Sequence, residues 1–136
     1  MTFRQLSQEE FVNHSASCAQ RSFMQTVEME KLLAKRGFTC QYVGHTNELD
    51  KVTVSAVLYS MPMTGGLHME INCGPVSTNP HDLQHFYREL KTYAKENGAL
   101  ELVVKPYETY QTFDSNGQPT SLEKTELIKE LTDLGY

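Results

Sequence analysis

The sequence predicts a single α+β domain on a mixed, mostly antiparallel sheet, and three observations carry that reading. Apolar runs of strand length follow one another between residues 39 and 72, separated only by short polar or Gly-Pro breaks. Two segments of helical periodicity precede them, and the clearest one in the chain comes directly after. A continuous, mostly apolar run from Leu100 to Lys105 then begins just past Gly98, as a strand reached by a helical crossover would.

In chain order, Phe3 to Leu6 alternates weakly and meets Ser7-Gln8-Glu9-Glu10, where Ser7 can cap a helix and Glu10 can reach back in a capping box. Leu6 and Phe11 are spaced for a hydrophobic staple, and this short helix should fade by Ala16 to Cys18. A second helix is expected from Thr26 to Arg36, burying Val27, Leu32 and Leu33 and stopping at Gly37. Strands follow at Thr39 to Thr46, Val52 to Met61 and Leu67 to Asn72, together an antiparallel meander.

The next helix has Asn79 as its cap, Pro80 at its first position and Gly98 just past its end. Leu83, Phe86, Tyr87, Leu90, Tyr93 and Ala94 recur at intervals of three and four and form its buried stripe. The strand at 100–105 should be covered on both faces. Tyr107 to Thr120 is a polar loop with Asp114-Ser115-Asn116-Gly117 turn chemistry, and Tyr107, Tyr110 and Phe113 are expected to anchor it to the core. A last helix is predicted behind a Thr120–Glu123 capping box, with Leu127, Ile128, Leu131 and Leu134 inward and Gly135 as its stop.

The 136 residues, 39% apolar and 21% charged, are enough for one cooperative core, since a chain of this length buries roughly two thirds of its unfolded surface. Cys18, Cys40 and Cys73 are odd in number and widely spaced, with no Cys-x-x-Cys pair, so a reducing, cytoplasmic setting is expected. The first residues lack the apolar core of a signal peptide and no stretch is long enough to span a bilayer, which leaves only peripheral membrane contact, at the inner face. A net charge of −5 argues against a surface devoted to nucleic acid. The local cluster Lys31, Lys35 and Arg36 complements a helix C-terminus.

The order β-α-α-β-β-β-α-β-α is that of the acetyltransferase-like (GNAT) fold through its fourth helix, lacking two closing strands, so the fold is expected to be incomplete. A working acetyltransferase needs a Gly-rich turn whose N–H groups cradle pyrophosphate. The corresponding segment, Ile71 to Pro80, holds two prolines and one glycine, so coenzyme A is disfavoured and no cofactor is expected.

The segments Phe23-Met24-Gln25-Thr26-Val27, Cys73-Gly74-Pro75-Val76 and Lys105-Pro106-Tyr107, with Gln111-Thr112-Phe113 and Leu134-Gly135-Tyr136 behind them, resemble the N-terminal part of the Fem family of peptidoglycan aminoacyltransferases (FemA, FemB, FemX and their MurM and MurN relatives). The resemblance covers nearly the whole chain. It implies that residues 1–136 are the first of two acetyltransferase-like subdomains of a larger enzyme, inactive alone.

The implied chemistry is transfer of an amino acid from aminoacyl-tRNA to the stem-peptide amine of a lipid-linked or nucleotide-linked peptidoglycan precursor. That reaction builds the interpeptide bridge in cell-wall biogenesis, with its link to beta-lactam resistance. Ester aminolysis needs a neutral amine, a route for its proton and donors for the oxyanion, but no metal and no covalent enzyme intermediate.

No catalytic residue is identified from sequence. Many relatives have a lysine at the place of Leu33; Lys31 and Lys35 each lie two residues away, about 200° round the helix, and are carried over only as substrate-contact candidates. Relatives often have Asp at the position of Lys105, which excludes a carboxylate base there and makes Lys105 a candidate for phosphate or carboxylate. Tyr107 is a candidate for stacking on a nucleobase or sugar.

His81-Asp82-Leu83-Gln84-His85 approaches a zincin pattern, but Asp replaces Glu and no third ligand is evident, so no metal is expected. Two other readings remain at this point: a non-catalytic half-domain that binds precursor or tRNA, and a small-molecule acetyltransferase. An open sheet edge would also allow self-association.

Overall fold

A computed structural model describes residues 2–136 as one sheet with helices on both faces. The elements run β1 (Thr2–Leu6), α1 (Gln8–Ala16), α2 (Val27–Lys35), β2 (Thr39–Thr46), β3 (Val52–Met63), β4 (Gly66–Asn72), β5 (Val76–Ser77), α3 (Leu83–Glu96), β6 (Ala99–Lys105) and α4 (Glu126–Asp133). A single 3-10 turn at Pro80–Asp82 leads into α3. The strand order is β1-β2-β3-β4-β6, antiparallel except for the parallel β4–β6 pair, and β5 pairs with β3.

The local signals explain most of these elements. Ser7 Oγ accepts from Glu10 N at 3.1 Å while Glu10 Oε1 accepts from Ser7 N at 3.1 Å, the reciprocal box that starts α1. Arg4 also pairs with Glu10 through both carboxylate oxygens, and that bond lowers the Glu10 carboxyl to about 2. Gly37, Gly98 and Gly135 end α2, α3 and α4 at φ of +93°, +84° and +86°.

Strand alternation divides the core. Val43, Val54, Ala56, Leu58, Met69 and Ile71 point to one face, where Phe86, Tyr87, Leu90 and Ala94 of α3 meet them, and α4 adds Leu127, Leu131 and Leu134 at its margin. On the other face Leu6, Phe11, Tyr42 and Val57 cluster beneath α1, with Phe11 and Tyr42 stacked at 4.6 Å. The staple pair Leu6 and Phe11 therefore joins this second core.

Several expectations are corrected. Leu32 is 39% exposed, because α2 turns only its Leu33 side fully inward. Strand β3 runs through Pro62 and Met63; β2 stops opposite Ser60, so Pro62 has only β4 beside it and its missing N–H costs no ladder bond on the β2 side. Strand β6 is not covered on both faces. It lies at the sheet edge, and Leu100 is 60% exposed.

The final helix begins at Glu126, and the expected capping box does not form. Thr120 Oγ1 instead meets Thr112 Oγ1 at 2.7 Å, and Glu123 accepts from the Tyr110 hydroxyl at 2.9 Å, so both side chains are used to close the preceding loop. Tyr107, Tyr110 and Phe113 do not anchor that loop to the core; they are 51%, 46% and 56% exposed. Its cohesion comes from the Asp114 side chain, which accepts from Asn116 N and Gln118 N, and from a Phe113–Pro119 bridge.

Candidate functional site

Three sequence segments that are far apart in the chain meet where the sheet changes partners. The β3–β4 ladder runs from Met63↔Gly66 to Tyr59↔Glu70, and β3 resumes pairing with β5 only at Ser55↔Val76. Val57 falls in the gap. Its N–H donates to Gln25 Oε1 at 2.8 Å, while Gln25 Nε2 donates to the carbonyl of Asn72 at 2.7 Å. One carboxamide thus satisfies two backbone groups that the interrupted ladder leaves free.

Gln25 is 1% exposed and needs room to lie there. Gly74 provides it, since a Cβ at position 74 would fall 2.7 Å from Gln25 Cδ. Cys73, beside it, takes a left-handed φ of +56°, and Gly74 N donates to Lys105 O at 3.2 Å. The segments around Gln25, Gly74 and Lys105 are therefore parts of one junction.

This junction places two loops opposite each other at the carboxyl end of the parallel β4–β6 pair. Ala19 and Gln20 form one wall of a cleft of about 420 Å³, Tyr107, Glu108 and Thr109 the other, with Pro75–Ser77, Pro80, Leu83 and Lys124 completing it, and Arg21 lines an adjoining hollow of about 340 Å³ that shares the same two walls. Clefts outside the carboxyl ends of parallel strands are common ligand sites. This one is mixed in character: Tyr107 offers a ring face, Gln20, Ser77 and Thr109 offer hydrogen bonds, and Arg21 and Lys124 offer positive charge.

The N-terminus of α3 adds little to anion binding there. His81 N donates to Asn79 Oδ1 at 3.2 Å, Asp82 N to Asn79 O at 3.1 Å and Leu83 N to Pro80 O. With its entry donors engaged and Pro80 lacking one, this turn is not a pyrophosphate cradle.

Next to the junction, on the α1 side of the sheet, lies a charged ladder across β4 and β6. Lys105 Nζ is 2.7 Å from Glu70 Oε1, His68 Nε2 is 3.0 Å from Glu70 Oε2, and His68 Nδ1 is 2.7 Å from Glu101 Oε2. Both ring nitrogens face carboxylates, an arrangement that favours the protonated ring, and the bonds to Glu70 and Glu101 raise the pKa of His68. Burial alone would push the Glu70 carboxyl up, but donors from Lys105, His68 and Tyr59 outweigh it and hold the group below its ordinary value.

On the α3 side a second polar cluster is sealed in. Thr53 Oγ1 donates to Asp82 Oδ2 at 2.7 Å and meets His45 Nδ1 at 3.2 Å, and the His45 and His85 rings lie 4.8 Å apart. On the α1 side, His14 Nδ1 is 2.6 Å from Ser55 Oγ. Burial lowers the pKa of both His14 and His45. Among the described residues no group of three or more His, Cys, Asp or Glu is arranged to hold a metal, and His81 and His85 are not joined by a third ligand.

The four candidates from sequence separate here. Tyr107 lines the cleft, whereas Lys105 pairs with Glu70 and is not one of the cleft's lining residues. Lys31 and Lys35 are exposed on α2, away from buried Leu33, and line none of this cleft. Sequence reasoning missed Gln25 and Glu70 as individual residues. The only signal for either was the Phe23–Val27 segment, which pointed to the region but not to a buried carboxamide.

Sheet order, the parallel pair reached through α3 and the helices on both faces define an acetyltransferase-like (GNAT-like) fold. A ribosomal-protein-alanine N-acetyltransferase from Brucella melitensis biovar Abortus superposes with a TM-score of 0.54 at 18% identity, over 77% of this chain and 80% of the other. The chain belongs to the FemAB family, whose model matches residues 6–136.

The aminoacyltransferase FemB of Staphylococcus epidermidis is 25% identical over 139 aligned residues, which take in 100% of this chain and 33% of the relative. The crystal structure of FemX superposes with a TM-score of 0.68 at 16% identity, over 99% of this chain and 32% of that one. The chain thus spans about a third of the length of these relatives.

Proposed function

We propose that this chain is the first acetyltransferase-like subdomain of an aminoacyltransferase that moves an amino acid from aminoacyl-tRNA to the stem-peptide amine of a peptidoglycan precursor. The cleft between residues 19–21 and 107–109 would hold the precursor. The observation that supports this reading is the convergence at one junction of the three segments that resemble the Fem family, two of which line the cleft through Pro75, Val76 and Tyr107. The mixed lining suits a ligand with sugar, peptide and anionic parts: Tyr107 for a ring face, Arg21 and Lys124 for phosphate or carboxylate.

Aminolysis of an ester asks mainly for positioning and oxyanion donors, which a cleft of fixed backbone geometry supplies without cofactor. The reaction is placed on the cytoplasmic side, where tRNA is, with peripheral contact at the membrane face for a lipid-linked precursor. No helix among the described residues is long and apolar enough to cross a membrane. The unpaired side of β6 is the surface through which the 136-residue chain would self-associate.

Titration of the chain with a nucleotide-linked precursor tests the reading. Saturable binding that weakens at least tenfold on Tyr107→Ala or Arg21→Ala is expected. Absence of binding, or binding indifferent to both changes, overturns the assignment of the cleft, and aminoacyl transfer by the 136 residues alone overturns the claim that they are only part of the enzyme.

A further inference from the structure

Glu70 is a carboxylate in the middle of a sheet face, 8% exposed, and its oxygens are divided between two partners of different character. Oε2 faces His68, which is itself pinned by Glu101 on the neighbouring strand. Oε1 faces Lys105 Nζ, whose side chain is 58% exposed and is held by this contact at its tip. Lys105, like Glu101 at 54%, is thus a largely exposed member of the ladder, and its side chain can swing into solvent without disturbing a strand.

When it does, Oε1 is left as a buried anionic acceptor without its strong donor, a state costly enough that another cation of the same shape is drawn to it. The vacated position takes a primary ammonium on a flexible alkyl stem, because that is the group that fits it already. Along the chain Lys105 is two residues from Tyr107, which lines the cleft.

We propose that Glu70 is an ammonium-binding site, occupied by Lys105 in the free protein and by the primary amine of the acceptor substrate when Lys105 gives way. The identity of the amine rests on the function proposed above; the ammonium site does not. The role is anchoring, not proton removal. With His68 still facing it and an incoming ammonium in the place of Lys105, Glu70 keeps its charge, so it orients that ammonium and leaves the proton to be lost elsewhere. Lys105 acts as a built-in competitor that keeps the carboxylate paired while the cleft is empty.

The test is chemical rescue of the 136-residue chain. Lys105→Ala should melt several degrees below the parent, and propylammonium chloride should restore the melting temperature with saturation in the millimolar range. Sodium and tetramethylammonium chloride at equal ionic strength should restore none of it. Carbon NMR of the Glu70 carboxyl, followed in the same titration, should shift with the same midpoint, and Glu70→Gln in the Lys105→Ala background should abolish both responses.

Absence of a selective, saturable propylammonium effect in both measurements overturns the site, even if Lys105→Ala is itself well folded. A lysine-containing peptide and its Nε-acetylated form separate the two claims. Rescue by propylammonium with equal binding of both peptides keeps the ammonium site and sinks the acceptor assignment, whereas preference for the free amine supports both.

Discussion

Gln25 sits against Gly74 so closely that no side chain at position 74 can coexist with it, although the two belong to segments separated by α2 and the β2–β3–β4 meander. Gly74 is not among the residues with positive φ, so the constraint is space and not backbone conformation. Gly74→Ala should therefore displace the Gln25 carboxamide and break its bonds to Val57 and Asn72. A loss of about 2–3 kcal/mol is expected from overpacking and two unsatisfied buried groups. Urea denaturation of Gly74→Ala, Gln25→Ala and the double variant should show strong non-additivity; additive losses would mean the two residues act independently.

Three histidines, two of them buried, make stability depend on pH in two opposed ways. Desolvation lowers the pKa of His14 and His45, so they stay neutral in the fold while the unfolded chain takes up protons near its ordinary value of about 6.5. Their contribution is full above that value and is lost as pH falls below it. His68 is raised by Glu70 and Glu101, so its contribution is full below about 6.5 and is lost as pH rises through its elevated folded value. Unfolding free energies between about pH 5 and 8 should show His45→Gln flattening the acid side and His68→Gln flattening the upper side. The reverse assignment of slopes would contradict the geometry.

The end of the chain is fastened to α3 by specific bonds. Tyr136 donates its hydroxyl to Tyr87 O at 2.6 Å, with the rings edge to face at 5.8 Å, and Lys91 Nζ donates to Leu134 O at 2.9 Å near the C-terminus of α4. Tyr136→Phe keeps the ring contact and removes one hydrogen bond, so about 0.5–1.5 kcal/mol should be lost. Hydrogen exchange should localise the effect to α4 while β2 and β3 keep their protection.

At the other end, Ser7→Ala removes half of a reciprocal cap and should cost about 1 kcal/mol. The Arg4–Glu10 pair will limit the damage by keeping Glu10 in place. Chemical denaturation of Ser7→Ala against Ser7→Ala with Arg4→Ala should reveal this: the Ser7 change is expected to cost more once Arg4 is gone.

The order of helices and strands was readable because its signals are local. Ser7 to Glu10, Asn79-Pro80, and Gly37, Gly98 and Gly135 mark helix ends through backbone rules that hold without tertiary context. The capping box at Thr120 and Glu123 failed because each side chain found a partner across its own loop, Thr112 and Tyr110, which no pattern within the helix could reveal. Strand β6 was misjudged because an apolar run reports composition, and an edge position is decided by what lies beside it.

The candidate site was legible as segments but not as contacts. Gln25 in the sequence is a polar residue before a helix; only the pause in the ladder at Val57 makes it a buried bridge. Glu70 reads as the lone charge in an amphipathic strand, and nothing local reveals that Lys105, many residues later, arrives on the parallel neighbour to meet it. Lys31 and Lys35 were suggested by residue type near a position of interest, and no residue of α2 lines the cleft.

The mixed pairing of the sheet also bears on how the molecule assembles. The antiparallel hairpins β2–β3 and β3–β4 join neighbours in the chain, whereas β6 reaches β4 only after α3 has crossed over, and β1 must wait for β2. Local pairings close first and distant ones last. The meander is thus expected to form an early scaffold, with β1 and β6 docking on its flanks, so that the two walls of the cleft come to face each other only in the final step of folding.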